Sequence, residues 1–216
     1  MTHRLLVSAA GLALPAGGGF TGRSAAVLSG VPDIAGPEDP VEAVLPGGQR
    51  WNAGVRVRTL LPGQHLVRHG PCRSLPRADT AVDLIRFGDR DEAVVLLDRP
   101  VQAGLAPRDD VRAAAALLPR CRGSARARWV AAVADGLAAS PQETRLRLLL
   151  CRAGMPPVAQ HVVRDAEGFV ARVDLAYPEL RVAIEDDGLW HAERQTLLDD
   201  AAASTGSTPR GGWSST

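Results

Sequence analysis

The sequence predicts an α/β chain, and three observations carry that prediction. From 170 to 185 two apolar runs alternate with polar residues at a period of two, Val170-Arg172-Asp174 against Ala171-Val173-Leu175, then Val182-Ile184 against Arg181-Ala183-Glu185, which is the spacing of strands. Ser140-Pro141-Gln142-Glu143 reads as a helix start, with a capping Ser, a Pro at the first helical position and a Glu three residues after the cap. Upstream, short apolar runs around 41–45 and 55–60 precede a long stretch whose apolar residues recur at helical spacing.

Taken in order, Gly22 to Leu28 reads as a short helix. Val41 to Leu45 and Val55 to Leu60 read as strands joined through PGGQRWNAG, and Arg77 to Phe87 as a helix. Asp91 to Asp98, Pro107 to Leu118 and Ser124 to Ala139 form a helical block. The helix opened by Ser140 takes Leu146, Leu149 and Leu150 as its buried face, Gly154 as its C-terminal cap and Pro156-Pro157 as its stop. Val158 to Arg164, a turn at Asp165 to Gly168, Phe169 to Ala176 and Leu180 to Glu185 complete a helix followed by three strands. This divides the chain into a mixed α+β region over residues 1–139, a second domain over 140–200, and a tail over 201–216 without apolar periodicity.

A chain of 216 residues with 45% hydrophobic content is long enough for one ordinary domain or two small ones. Every one of its 25 basic residues is Arg, and with abundant Ala, Gly and Pro this points to a GC-rich genome. A net charge of +1 supplies no global attraction to DNA, so contact with nucleic acid falls to a local patch. The densest patch is Arg120, Arg122, Arg126 and Arg128 beside Trp129, which could grip phosphates or form a solvated helix face. Three scattered cysteines, Cys72, Cys121 and Cys151, fit neither a disulfide framework nor a zinc site and suggest a reducing cytoplasm. The opening MTHRLLVSAAGLALPAGG imitates a secretory signal, but Ser8, Gly11 and Pro15 interrupt its apolar run. No stretch has the length of a transmembrane helix. His65 and His69 have helical i, i+4 spacing, yet Pro62-Gly63 places a turn there and no third ligand follows.

The chemistry concentrates between Arg172 and His191, RVDLAYPELRVAIEDDGLWH. Tyr177-Pro178-Glu179 supplies a turn, and a hairpin across it brings Asp174 and Glu185 to one end of the sheet, where two carboxylates could share a hard cation such as Mg²⁺. Two solvated acids on a polar face are the alternative reading.

SPQETRLRLLL, RVDLAYPELRVAIEDDG and WHAERQTLLDD, in that order and spacing, resemble the domain of unknown function 559 family. That family is common in actinobacteria and similar to the very-short-patch-repair endonucleases of the PD-(D/E)XK nuclease fold. The region upstream more weakly resembles AbiE-type antitoxin-like proteins. The resemblance implies a restriction-endonuclease-like mixed sheet with flanking helices and a metal-dependent DNA endonuclease, a hydrolase using Mg²⁺ or Mn²⁺ and no small-molecule cofactor. It implies that Asp174 and Glu185 hold the metal and that Glu143, Asp187 and His191 complete the catalytic set. Asp186 stands where the family carries an apolar or aromatic residue. The Lys that closes the usual nuclease motif has no counterpart here, which leaves its role to Asp187, His191 or water. A non-catalytic DNA-binding or antitoxin-like regulator is the alternative implied.

After Asp200 the family pattern stops at AAASTGSTPRGGWSST. Its codons, shifted by one base with C in front, permit RRRLNRLHAAGWLVVH, the Arg-rich helix, turn and Val-rich strand that the resemblance leads one to expect. The expectation is a single-base frameshift and a truncated nuclease domain. Losing a strand with several buried side chains forfeits roughly 1.5 to 3 kcal/mol each, and the missing Arg residues would have helped hold a scissile phosphate, so activity as encoded is expected to be impaired.

Overall fold

A computed structural model describes residues 1–46 and 54–186. Asp187, His191 and the 201–216 tail with its shifted-frame reading lie outside the described residues. The fold is mixed α/β, with seven helices, a five-stranded mixed sheet and a three-stranded antiparallel sheet among the described residues. Two compact units divide between Gly136 and Leu137. No described helix is long and apolar enough to cross a membrane.

The first unit begins with α1 (His3–Ala13), which the sequence reading passed over as a signal-like run. Thr2 caps it by accepting from the Leu5 amide, and it is bound into the core by Val7, fully buried, and by His3, whose ring meets Ser24 Oγ and the Gly36 carbonyl. The strands β1 (Gly19–Phe20), β2 (Val41–Val44), β3 (Val55–Arg58), β4 (Val67–His69) and β5 (Cys72–Ser74) lie in the order β3-β2-β1-β5-β4. β2 and β3, consecutive in sequence, pair in parallel rather than as a hairpin. Val7, Phe20, Ala25, Val41 and Ala43 form a core beneath α1 and α2 (Gly22–Leu28). His69 lies on β4 and meets the Leu28 carbonyl, while His65 precedes that strand, so the two are not on one helix face.

The helical block consists of α3 (Arg77–Ile85), α4 (Arg90–Gln102), α5 (Arg108–Leu117) and α6 (Ser124–Val133), packed through Val82, Ile85, Val94, Leu97, Val111 and Val130. α4 continues beyond Asp98 and accommodates Pro100 in its last turn. α6 stops at Val133 instead of reaching Ala139. The buried Asp98 carboxylate takes the amides of Asp135 and Gly136, drawing the chain out of the helix.

In the second unit α7 (Pro141–Arg152) ends in a Schellman motif, with the Gly154 amide on the Cys151 carbonyl and the Met155 amide on that of Leu150. It is followed by β6 (Val158–Asp165), β7 (Gly168–Tyr177), a short 3-10 turn at Pro178–Leu180 and β8 (Val182–Ile184). Asp165 builds the β6–β7 turn by accepting from the Glu167 and Gly168 amides. β7 lies between β6 and β8, with Leu175 opposite Ile184 and Tyr177 opposite Val182.

In the first unit a buried ionic network fixes α2 against the sheet. Glu42 of β2 accepts the Arg23 amide and pairs with Arg56 and Arg58. Gly22, at φ 52°, permits this approach, because a Cβ there would stand 2.0 Å from Glu42 Oε2. Gly22→Ala is therefore expected to cost more than about 2 kcal/mol in denaturant unfolding. Gly30→Ala, also at positive φ but with open space around it, isolates the backbone cost, and the excess at Gly22 reports the clash with Glu42.

Two acids at helix starts carry opposite pH dependence. Burial raises the Asp79 carboxyl above its ordinary 3.8, whereas the Glu92 and Asp91 amides lower that of Asp89 below 3.8. The folded state therefore holds a proton on Asp79 more readily than the unfolded state, so its contribution is present below about 3.8 and is lost as pH rises through the folded value. Asp89 contributes above about 3.8 and loses that contribution as pH falls through its lowered value. Asp79→Asn should gain stability relative to the parent as pH rises, and Asp89→Ala should lose least at acid pH, both read from unfolding midpoints across pH.

Candidate functional site: a closed carboxylate ring

In α7 the buried residues are Glu143, Thr144, Arg147 and Leu148, while Leu149 is exposed. Of the leucine stripe read from the sequence, Leu146 and Leu150 are half-buried and Leu149 is exposed, so the stripe lies beside the inward face rather than on it. Three polar side chains share that face with Leu148, and Glu143 among them belongs to a hydrogen-bonded site.

Ser140 Oγ accepts the Glu143 amide at 3.1 Å, the first half of the capping box. The Glu143 carboxylate reaches back past Ser140 to the Ala139 amide, 2.9 Å away. The same Oε2 accepts from Gln160 Nε2 at 3.0 Å, and that nitrogen lies 3.4 Å from Asp174 Oδ1. Asp174 Oδ2 in turn accepts the Asp186 amide at 3.0 Å, and Asp186 Oδ2 accepts from Ser140 Oγ at 3.1 Å. Ser140, Glu143, Gln160, Asp174 and Asp186 therefore form one closed ring of hydrogen bonds.

The backbone is arranged for this ring. Gln160 has φ 50° within β6, a left-handed conformation uncommon for a residue with a side chain. It falls between the pairs Ala159 with Leu175 and His161 with Val173, opposite Asp174. Strain of this kind concentrates at functional sites. Asp174 projects from β7 between the buried Val173 and Leu175.

Of the residues singled out in the sequence, Glu143 and Asp174 come together. Glu185, just beyond β8, is exposed. The register of Leu175 with Ile184, carried one residue further, sets Glu185 opposite Asp174. Gln160 and the contacts of Asp186 went unread: a lone Gln in a strand has no spacing signature, and Asp186 stood out only as a departure from the family pattern. Among the described residues no group of three or more His, Cys, Asp or Glu is arranged to hold a metal ion.

The arginine cluster divides. Arg120 and Arg122 precede α6 and are exposed. Arg126 and Arg128 lie on α6 and donate to the Arg86 and Leu118 carbonyls, closing the C-terminal ends of α3 and α5.

The architecture is that of a two-unit α/β protein whose second unit places two acids on a helix and a central strand. The chain is 33% identical over 123 residues to the uncharacterized proteins Rv2248 and MT2308 of two strains of Mycobacterium tuberculosis, the match covering 56% of this chain and 45% of each relative. The chain spans about half the length of the curated relatives it matches. No protein-family model matches it, and no solved structure matches it.

Gln160 makes a testable demand on the ring. Gln160→Ala removes the bridge and keeps the left-handed backbone, whereas Gln160→Gly removes the bridge and relieves that backbone. The Gly variant is expected to be the more stable by about 1 kcal/mol in denaturant unfolding.

Proposed function

We propose that the second unit is a PD-(D/E)XK-like site for Mg²⁺- or Mn²⁺-dependent hydrolysis of DNA phosphodiesters, related to the very-short-patch-repair endonucleases. The observation that carries this reading is the convergence of Glu143 from α7 and Asp174 from β7 on the one Gln160 nitrogen. A helix acid and a strand acid meet there, at a residue held in a strained conformation.

The donors suit the ion. Mg²⁺ binds through one or two carboxylates while keeping several waters and taking up substrate phosphate oxygens, so it does not demand an all-protein cage. Asp174 and Glu143, with Glu185 opposite Asp174, would hold it, and the bound ion would supply an activated water and charge stabilisation at phosphorus. Asp187 and His191 belong to the proposal through the family resemblance. Arg120 and Arg122, exposed before α6, are the part of the basic cluster best placed to meet DNA. The three free thiols fit a cytoplasmic protein of actinobacterial type. The 201–216 segment holds a single Arg, which supports low activity as encoded.

A second reading, a non-catalytic DNA-binding or antitoxin-like module, is favoured by the same Gln160 amide. It satisfies both carboxylates without a cation, as a purely structural ring would.

Manganese titration calorimetry and nicking of supercoiled plasmid separate the readings. The parent chain should bind Mn²⁺ and nick slowly in its presence. Asp174→Asn should lose both, and Glu143→Gln, which can still accept the Ala139 amide, should lose about 10²-fold or more in rate for a stability change under about 1 kcal/mol. Metal binding unchanged by Asp174→Asn, or a DNA gel shift without cleavage in either metal, would remove the hydrolytic reading.

A further inference from the structure

Within the first unit, Arg122 and Arg126 of the basic cluster belong to a larger concentration of positive charge beside one aromatic ring. Phe87 follows α3, and the guanidinium carbons of Arg86, Arg58 and Arg122 lie 5.0, 5.1 and 6.0 Å from its ring centroid. An aromatic face attracts each cation separately, yet three like charges around one ring repel each other unless anions lie among them. Arg58 is paired with Glu42 and Arg86 with Asp83. Arg122 has no carboxylate partner among the described residues.

Beside this ring lies a cavity of about 440 Å³ lined by Arg86, Phe87, Cys121, Arg122, Gly123 and Arg126, among others. Its wall includes the start of α6, a helix of 10 residues whose first-turn amides receive no side-chain cap. Gly123 makes that start possible: at φ 87° its Cβ position falls 2.2 Å from the Arg86 carbonyl oxygen, which no other residue could tolerate. The Arg86 side chain is only 9% exposed. It donates to Asp83, the Arg122 carbonyl and the Cys121 sulfur, while its Nε–H is buried without a partner. Asp83 and, near Arg126, Asp89 are the acids facing the cations of the cavity, which leaves Arg122 in excess of them.

We propose that this cavity is a phosphate-binding site, in which Arg122 and Arg126 flank the anion and the Ala125 and Arg126 amides of α6 receive it. Free helix amides and planar guanidinium groups are both suited to phosphate oxygens. The phosphate belongs either to a small phosphorylated molecule or to a nucleotide strand.

Cys121 provides the readout, since it lines the same cavity, and the exposed Cys151 is an internal reference. In the full chain, iodoacetamide labelling resolved by peptide mass is followed against inorganic phosphate at constant ionic strength, and separately against a short single-stranded oligonucleotide. Phosphate should slow Cys121 saturably and leave Cys151 unchanged. Arg122→Ala should weaken the effect by roughly tenfold, with Arg122→Lys intermediate. Protection by the oligonucleotide at lower concentration than phosphate identifies a strand as the source, and protection by phosphate alone identifies a small ligand. Equal slowing of Cys151, or protection unaffected by Arg122→Ala, overturns the site.

Discussion

The second unit depends on burying one carboxylate. Glu143 is 5% exposed, and a carboxylate taken out of water costs several kcal/mol unless hydrogen bonds replace its hydration. The Ala139 amide and the Gln160 side chain supply them. Each of those donors commits another element: Ala139 fixes the approach to α7, and Gln160 fixes a left-handed residue in β6. Because Asp174, Asp186 and Ser140 close the same circuit, helix start, bulged strand, central strand and the chain beyond β8 are set together. Breaking one link leaves a buried polar group exposed to the full cost of desolvation.

The first unit solves a similar problem with charge pairs. Glu42 sits at the start of α2 with Arg56 and Arg58, while Thr21 donates to Asp83, which also pairs with Arg86. Buried pairs of this kind contribute little net stability compared with apolar residues of equal size, but removal of one partner is severe. Their role here is placement. They tie α2 to β2 and β3, and α3 to Thr21 just before α2, which orders the segment leading to Phe87.

Helices and strands with strong local signals were legible in the sequence. The Ser140 cap, Gly154, the Asp165 turn and the β7–β8 hairpin all follow from residue types at short range, and Asp174 emerged from the alternation around it. What was not legible depended on distant partners. α1 looked like a signal segment because its burial comes from Ser24 and Gly36, far along the chain. β2 and β3 were legible as strands, but nothing local showed that they pair in parallel. The inward face of α7 was placed beside its true position because apolar periodicity records the usual occupant of a buried face, and here Leu148 shares it with a hydrogen-bonded acid. Gln160 left no trace at all, as its importance lies in one dihedral angle and two acceptors on other elements.

The run Glu185-Asp186-Asp187 looks in sequence like a concentration of repulsion beside Asp174. The ring changes that count. Asp186 directs its carboxylate to Ser140 Oγ and offers Asp174 only a backbone N–H, so the residue that departs from the family pattern contributes a donor to the site acid rather than a competing charge. Glu185 is exposed, where water screens it. At the centre two acids face one neutral amide, a charge balance that a divalent cation or the amide alone can satisfy. Ser140 does two things at once: its Oγ caps α7 by accepting the Glu143 amide, and it donates to the Asp186 carboxylate, so the third acid is hydrogen-bonded rather than left as an unpaired charge.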